Sequence, residues 1–266
     1  MTLQDARVVL TGATGGIGQE LLEQLLTAGA QVLIVGRRRS ALDALAAGRR
    51  QRMRTVEADL ATRAGRDAVE AAVRELGGAR VRLHASGLNE RISFAAQDEE
   101  SIETLLSVNV TATLQLTRRL LPMLQQQPQA MVVLLGSVLG SIGHPGYATY
   151  CASKFALRGF AEALRRELAD TGVQVRYVAP RATRTSMHTA AAVRMNEQLG
   201  STMDTPQRVA QQVLQAMQGT RHERYLGGPE KLFVRINQIL PGVVDKAMRK
   251  KLPQIRQAAG PSRVVS

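Results

Sequence analysis

The stretch "ARVVLTGATGGIGQELLEQLLTAG", residues 6–29, constrains the fold more than any other part of the chain. A short apolar run ends at Gly12, a glycine-rich turn follows, and Ile17, Leu21, Leu22 and Leu25 recur at helical spacing until Gly29 stops the pattern. Strand, turn and helix in direct succession open a βαβ unit. In such a turn Gly12 permits a tight bend, and Gly16 lets a pyrophosphate approach the backbone. Gly18 lets the helix pack close to the strand, while the helix N-terminus offers free N–H groups and partial positive charge. Thr14, Gly15 and Ile17 complete the turn. No Gly-Lys-Ser/Thr follows, so it is not a P-loop.

The same alternation continues. "QVLIVG", "RTVEADL", "ARVRLHASG", "AMVVLLGS" and "VQVRYVAP" read as strands. Helical patterns separate them: around 42–47, "GRDAVEAAVRELGG", one long helix from about Asp98 to Leu124, another from about Tyr147 to Leu168, and one opened by "DTPQRVAQQVLQAM". Strands separated by helices of this length predict an α/β, Rossmann-type doubly wound parallel sheet in a single domain over residues 1–228. Residues 186–203, small and polar, predict an excursion beside the sheet. Residues 229–266 form a basic amphipathic extension.

At 266 residues with 44% hydrophobic content, the chain can bury one large core. No window approaches the length of a membrane span, and the N-terminus runs straight into a strand, which predicts a cytoplasmic protein. Cys151 is the single cysteine, so an intrachain disulfide is excluded. The four histidines lack metal-ligand spacing, and no metal site is expected. The net charge is +13, yet aromatics make up only 3% and Trp is absent, leaving little to stack bases on. With no zinc-finger, KH or RRM pattern, nucleic acid is not an expected partner.

The second strand ends in "VGRRR". A dinucleotide fold that selects NAD places an acid there for the ribose 2′-hydroxyl, whereas an arginine suits a 2′-phosphate. Arg37, with Arg38 beside it, therefore predicts NADP(H).

Taken together, the motifs resemble those of the short-chain dehydrogenase/reductase family over residues 5 to 228. "TGATGGIG" matches its Thr-Gly-x3-Gly-x-Gly turn, "VNV" supplies Asn109, and "YCASK" supplies Tyr150 and Lys154. Ser137 follows the fifth strand, 13 residues before Tyr150. The resemblance implies that Asp59 and Leu60 of "ADL" meet adenine, and that Ser86 and Gly87 of "HASG" line the cofactor. It also implies that Pro180, Thr183 and Thr185 of "PRATRT" flank the nicotinamide, with Thr185 at its carboxamide. "SIGHPGYATYCASK" and "LTRRLLPML" are similar to 3-oxoacyl-carrier-protein reductases within the family, implying a 3-oxoacyl or other lipid-like carbonyl. A homodimer or homotetramer using the helices near 98–124 and 147–168 is implied as well.

Tyr150 and Lys154 sit four residues apart, on one helical face, whereas Tyr147 falls on another and suits a pocket wall. Ketone reduction needs a hydride and a proton. An isolated phenol has a pKa of about 10, and a neighbouring lysine ammonium is expected to lower it, making Tyr150 a general acid/base. By resemblance Ser137 holds the substrate oxygen, Lys154 the nicotinamide ribose, and Asn109 a helix distortion in a proton relay. The intact set disfavours the alternative of a non-catalytic cofactor-binding scaffold acting through the tail. Two departures stand out. His84 and Ala85 replace the family's paired asparagines, predicting a locally altered sheet edge. Arg181 replaces a glycine, predicting a reshaped nicotinamide end or a cation near substrate.

In the extension, Leu232, Phe233, Ile236, Ile239 and Leu240 fall near helical spacing among cations. That pattern equally fits peripheral contact with an anionic membrane, a lid over the substrate pocket, or packing on another subunit.

Overall fold

The computed structural model describes residues 2–49, 51–185, 203–257 and 262–264. The expected excursion at 186–203 lies outside the described residues, apart from Met203. The chain runs β1 (Arg7–Thr11), α1 (Gly16–Thr27), β2 (Gln31–Gly36), α2 (Arg39–Ala46), β3 (Met53–Glu57), α3 (Arg63–Glu75) and β4 (Val81–His84). Next come β5 (Asn89–Arg91), α4 (Glu99–Leu106), a π-helical turn (Ser107–Thr111), α5 (Ala112–Gln125), β6 (Ala130–Leu135), α6 (Ala148–Glu167) and β7 (Val173–Ala179). The C-terminal part contributes α7 (Pro206–Gln218), β8 (Glu223–Tyr225), α8 (Pro229–Ile239), α9 (Pro241–Gln257) and β9 (Ser262–Val264).

Seven strands form one parallel sheet in the order β3-β2-β1-β4-β6-β7-β8. Every residue of β6 is buried, as are Val32 to Val35 of β2, because helices cover both faces. On one face Leu21, Leu22 and Leu25 of α1 join Val209, Ala210 and Val213 of α7. On the other, Val69 and Val73 of α3 join Leu116 and Leu120 of α5 and Leu157 and Ala161 of α6. The strand order reverses at β1 and β4, and the crevice outside their carboxyl ends is where such sheets bind ligands.

Two local readings are revised, and the helix distortion implied at Asn109 is located. β3 stops at Glu57, because Asp59 turns the chain, its carboxylate accepting from the Ala61 N–H at 3.0 Å. Thr62 then caps α3, accepting from the Gly65 N–H. The long helix after Asp98 is interrupted at 107–111, where the backbone bond from Ala112 reaches Ser107, one residue further than in an α-helix. His84 does not alter a sheet edge. β4 is a central strand, paired with β1 and β6, so the change falls in the interior.

The extension packs back on the body. Val234, Val244 and Ile255 are buried, and the Asn237 side chain donates to the Ser141 carbonyl at 3.0 Å. The Arg91 guanidinium donates to the Ile255 carbonyl at 3.2 Å, and β9 pairs antiparallel with β5. The helix pair α8–α9 thus covers the loop that follows β6, while much of its outer side stays exposed.

Candidate active site

The glycine turn is shaped by contact. Gly12 has φ +79°, and a Cβ there would lie 2.5 Å from the Ser86 nitrogen. A Cβ at Gly18 would lie 1.9 Å from the Gly12 carbonyl oxygen, which is how close α1 sits to the end of β1. No side chain caps α1 at Gly15, unlike α3, α4 and α7, which Thr62, Asp98 and Thr205 cap. The first-turn N–H groups of α1 therefore keep their donor capacity for an anion.

A cleft of about 800 Å³, counting its open mouth, runs from this turn. Gly12, Thr14, Gly15, Arg37, Asp59, Leu60, Ser86 and Gly87 line it, together with Val35, Ala58, His84 and Val108. Other expected residues stand around it. Thr185 packs its methyl over Gly16, where a Cβ would come within 3.0 Å of it. Ile17 packs against the core, and Arg38 is exposed at the start of α2. The Pro180 carbonyl accepts from the Val138 N–H at 3.0 Å. Thr183 is buried, its hydroxyl donating to the Arg181 carbonyl at 3.0 Å.

Asn109 lies in the π turn and is fully buried. Its side-chain oxygen accepts from the Leu88 N–H at 2.7 Å, and its amide donates to the Leu88 carbonyl and to Ser153 Oγ, both at 3.0 Å. Ser153 in turn donates to the Tyr150 carbonyl at 2.7 Å, which ties the π turn to α6. Lys154 Nζ lies 5.6 Å from the centroid of the Tyr150 ring and donates to the Leu135 carbonyl at 3.4 Å. A Cβ on Gly87 would come within 3.3 Å of Asn109 Oδ1 and 3.5 Å of Lys154 Nζ. The structure thus brings Asn109, Lys154 and Tyr150 to one end of the cleft, with the Ser137 side chain close enough to the Tyr150 phenol to lower its pKa.

The electrostatics differ from the expected lowering by lysine. Enclosure pushes the Tyr150 phenol well above its ordinary range, against the lowering effect of Ser137. Burial pulls Lys154 down to about 8. Desolvation disfavours the charged form of each. Tyr147 is buried, its ring edge-on to Tyr150 at 6.2 Å and to His144 at 5.7 Å.

Four contributors escaped the sequence reading of the site. Ser153 is one. Tyr177 is another: a Cβ at Gly136 or Gly140 would strike its ring or hydroxyl at 2.1 or 2.4 Å, and its hydroxyl donates to the Ser137 carbonyl at 3.3 Å. It therefore wedges beneath the loop that carries Ser137. The third is the network around His84. Thr113 Oγ1 donates to the Asn109 carbonyl at 2.9 Å, so it accepts from His84 Nε2–H at 3.0 Å, and His84 Nδ1 accepts from Thr11 Oγ1 at 3.2 Å. His84 is held neutral by burial and by the cations of Arg82 and Lys154. Arg82 is itself fully buried and pulled down to about 9.

The fourth is the pairing of Arg181. Rather than a cation free for substrate, its guanidinium bonds both Asp204 oxygens at 2.8 and 2.9 Å and Glu230 at 3.3 Å. The reason is charge balance: Asp204 is 3% exposed and needs a partner. Glycine-to-arginine thus joins the strand end after β7 to the start of α8.

The family model for short chain dehydrogenases matches residues 6–196. The chain is 33% identical over 182 residues to nodulation protein G of a Rhizobium species, covering 67% of this chain and 73% of that one. It is 34% identical over 183 residues to an uncharacterized oxidoreductase of Bacillus subtilis, covering 68% of this chain and 72% of that one. In three dimensions it is similar to a short chain dehydrogenase from Burkholderia cenocepacia solved in complex with NADP, with TM-score 0.80 and 25% identity over 93% of this chain and 99% of that one. With the glycine turn, the crevice at the β1–β4 reversal and a match across well over half its length, the chain belongs to the short-chain dehydrogenase/reductase family of oxidoreductases.

Proposed function

We propose that the protein is an NADP(H)-dependent oxidoreductase that interconverts a ketone and a secondary alcohol. The observation that carries this reading is the convergence of Asn109, Tyr150 and Lys154, with Ser137 beside the phenol, at one end of a cleft whose middle is the uncapped N-terminus of α1. The residues fit a dinucleotide. The free N–H groups of α1 suit a pyrophosphate, Asp59 and Leu60 the adenine end, and the exposed Arg37 at the cleft wall a 2′-phosphate. The similar Burkholderia structure was solved with NADP. When bound, the nicotinamide supplies or accepts the hydride.

The side chains then handle the proton. Tyr150 Oη gives its proton to the carbonyl oxygen during reduction and recovers it during oxidation. The phenol is protonated at neutral pH, as an ordinary tyrosine's is, which is the form a proton donor needs. Ser137 donates to the same oxygen as charge builds there. Lys154 holds the ribose hydroxyls, and Asn109, pinned between Leu88 and Ser153, keeps the helix opened for the relay.

The substrate we favour is a 3-oxoacyl or other lipid-like carbonyl. A recess between the 143–145 turn and the extension is lined by Pro145, Val244, Met248 and Leu252, with Arg249 among them, and suits an acyl chain with a polar end. A homodimer or homotetramer is supported by the apolar groove of Leu114, Leu121, Phe160 and Leu164 across α5 and α6.

The test is nicotinamide absorbance across a panel of 3-oxoacyl thioesters, diketones and steroids, with NADPH or NADH. Tyr150→Phe is expected to lower turnover by about 10²- to 10⁴-fold while NADPH still binds. Turnover unaffected by that change would overturn the assignment of Tyr150.

A further inference from the structure

Eight large apolar side chains stand exposed among the described residues, and five of them fall within residues 232–243. Leu232, Phe233, Ile239, Leu240 and Val243 are each between 51% and 75% exposed. On α8, Leu232 and Ile239, and likewise Phe233 and Leu240, lie seven residues apart on one face, with Ile236 between them half-buried against the body, and Val243 follows just past the corner at Leu240–Pro241. Lys231 and Arg235 flank this face on α8, and Lys246 and Lys250 share the Val243 side of α9. These cations, with Arg249 and Lys251, are exposed and form no ion pair with a described residue. Of the acids nearby, Glu230 is engaged by Arg181, which leaves Asp245.

From this patch we infer that the α8–α9 pair is a docking surface for an anionic lipid bilayer. The opposite side of the pair is fastened to the body by Val234, Val244 and Ile255 and by the Asn237–Ser141 bond, so the exposed face is presented rather than awaiting burial within the chain. A second copy is a poor occupant: a two-fold interface sets the same patch against itself, bringing six cations against six. Apolar side chains flanked by lysine and arginine match the boundary between headgroups and acyl chains, where cations meet lipid phosphates. No described helix is long and apolar enough to cross the membrane, so the contact is peripheral. The inference does not depend on the oxidoreductase reading.

Flotation of the full-length protein with vesicles tests it. Vesicles of equal parts phosphatidylcholine and phosphatidylglycerol are expected to carry the protein up, and phosphatidylcholine alone is not. Raising salt from about 50 mM to about 500 mM shortens the reach of the charges and should release it. Replacing Leu232, Phe233, Ile239 and Leu240 together by Ser should abolish flotation, and these positions are exposed, so folding is spared. Each of Lys231→Gln, Arg235→Gln and Lys246→Gln should weaken partition by about fivefold. Flotation that ignores lipid charge, or survives the four serines, overturns the inference. So does light scattering in which the serine variant falls from a larger assembly to a smaller one, since the patch would then join copies. Absence of flotation with an unchanged assembly assigns the face to an acidic protein partner instead.

Discussion

Between Gly12 and Leu60 the cleft is made largely of backbone: a positive-φ glycine, the uncapped start of α1, and the turn at Asp59. Beyond Ser137 it is made of side chains reaching across the fold. Tyr177 props the Ser137 loop, Arg181 bonds Asp204 and Glu230, and Asn237 of the extension holds Ser141. The contrast teaches a division of labour. A phosphate-binding turn needs close approach, which small residues allow, whereas the substrate side needs shape, which long-range contacts supply.

The largest expected effect comes from breaking the side-chain wall. Arg181→Met leaves buried Asp204 without its guanidinium and should cost about 3 kcal/mol in denaturant unfolding. If the two walls are independent, NADPH affinity should change little. A large loss of affinity would show that the clasp supports both walls. Breaking the backbone wall comes next. Gly18→Ala sets a Cβ against the Gly12 carbonyl and should cost about 2 kcal/mol, together with NADPH affinity. Arg37→Ala should then move the cofactor preference toward NADH by about tenfold or more, from loss of a charge-assisted bond, with little change in thermal stability.

The smallest effect sharpens the boundary between the walls, where His84 stands. Its folded pKa lies well below 6.5, so the unfolded chain binds more protons once pH falls beneath that value. Stability should therefore decline as pH drops below about 6.5, by no more than about 1.4 kcal/mol per pH unit for this group. His84→Gln should make the decline shallower, measured as unfolding midpoint at about pH 7.5 and about pH 5. The slope that remains includes His144 and His222, which burial also lowers. An unchanged slope would mean that His84 is not held neutral by the Thr11–Thr113 network.

What the chain alone determined is local. The strand–turn–helix opening, the Tyr150–Lys154 spacing and the alternation of buried runs follow from backbone sterics and the helical period, which act over a few residues. Arg37 at the end of β2 was readable for the same reason. The partners of Arg181 lie 23 and 49 residues away, and Thr11 lies 73 residues from His84. No local pattern announces such pairs, because the need to neutralise a buried charge or satisfy a buried donor arises only once packing has removed the water. The extension belongs with them. Its amphipathic spacing was legible, but which side is fastened to the Ser137–Pro145 loop and which faces outward was decided by where Val234 and Val244 found a surface to bury.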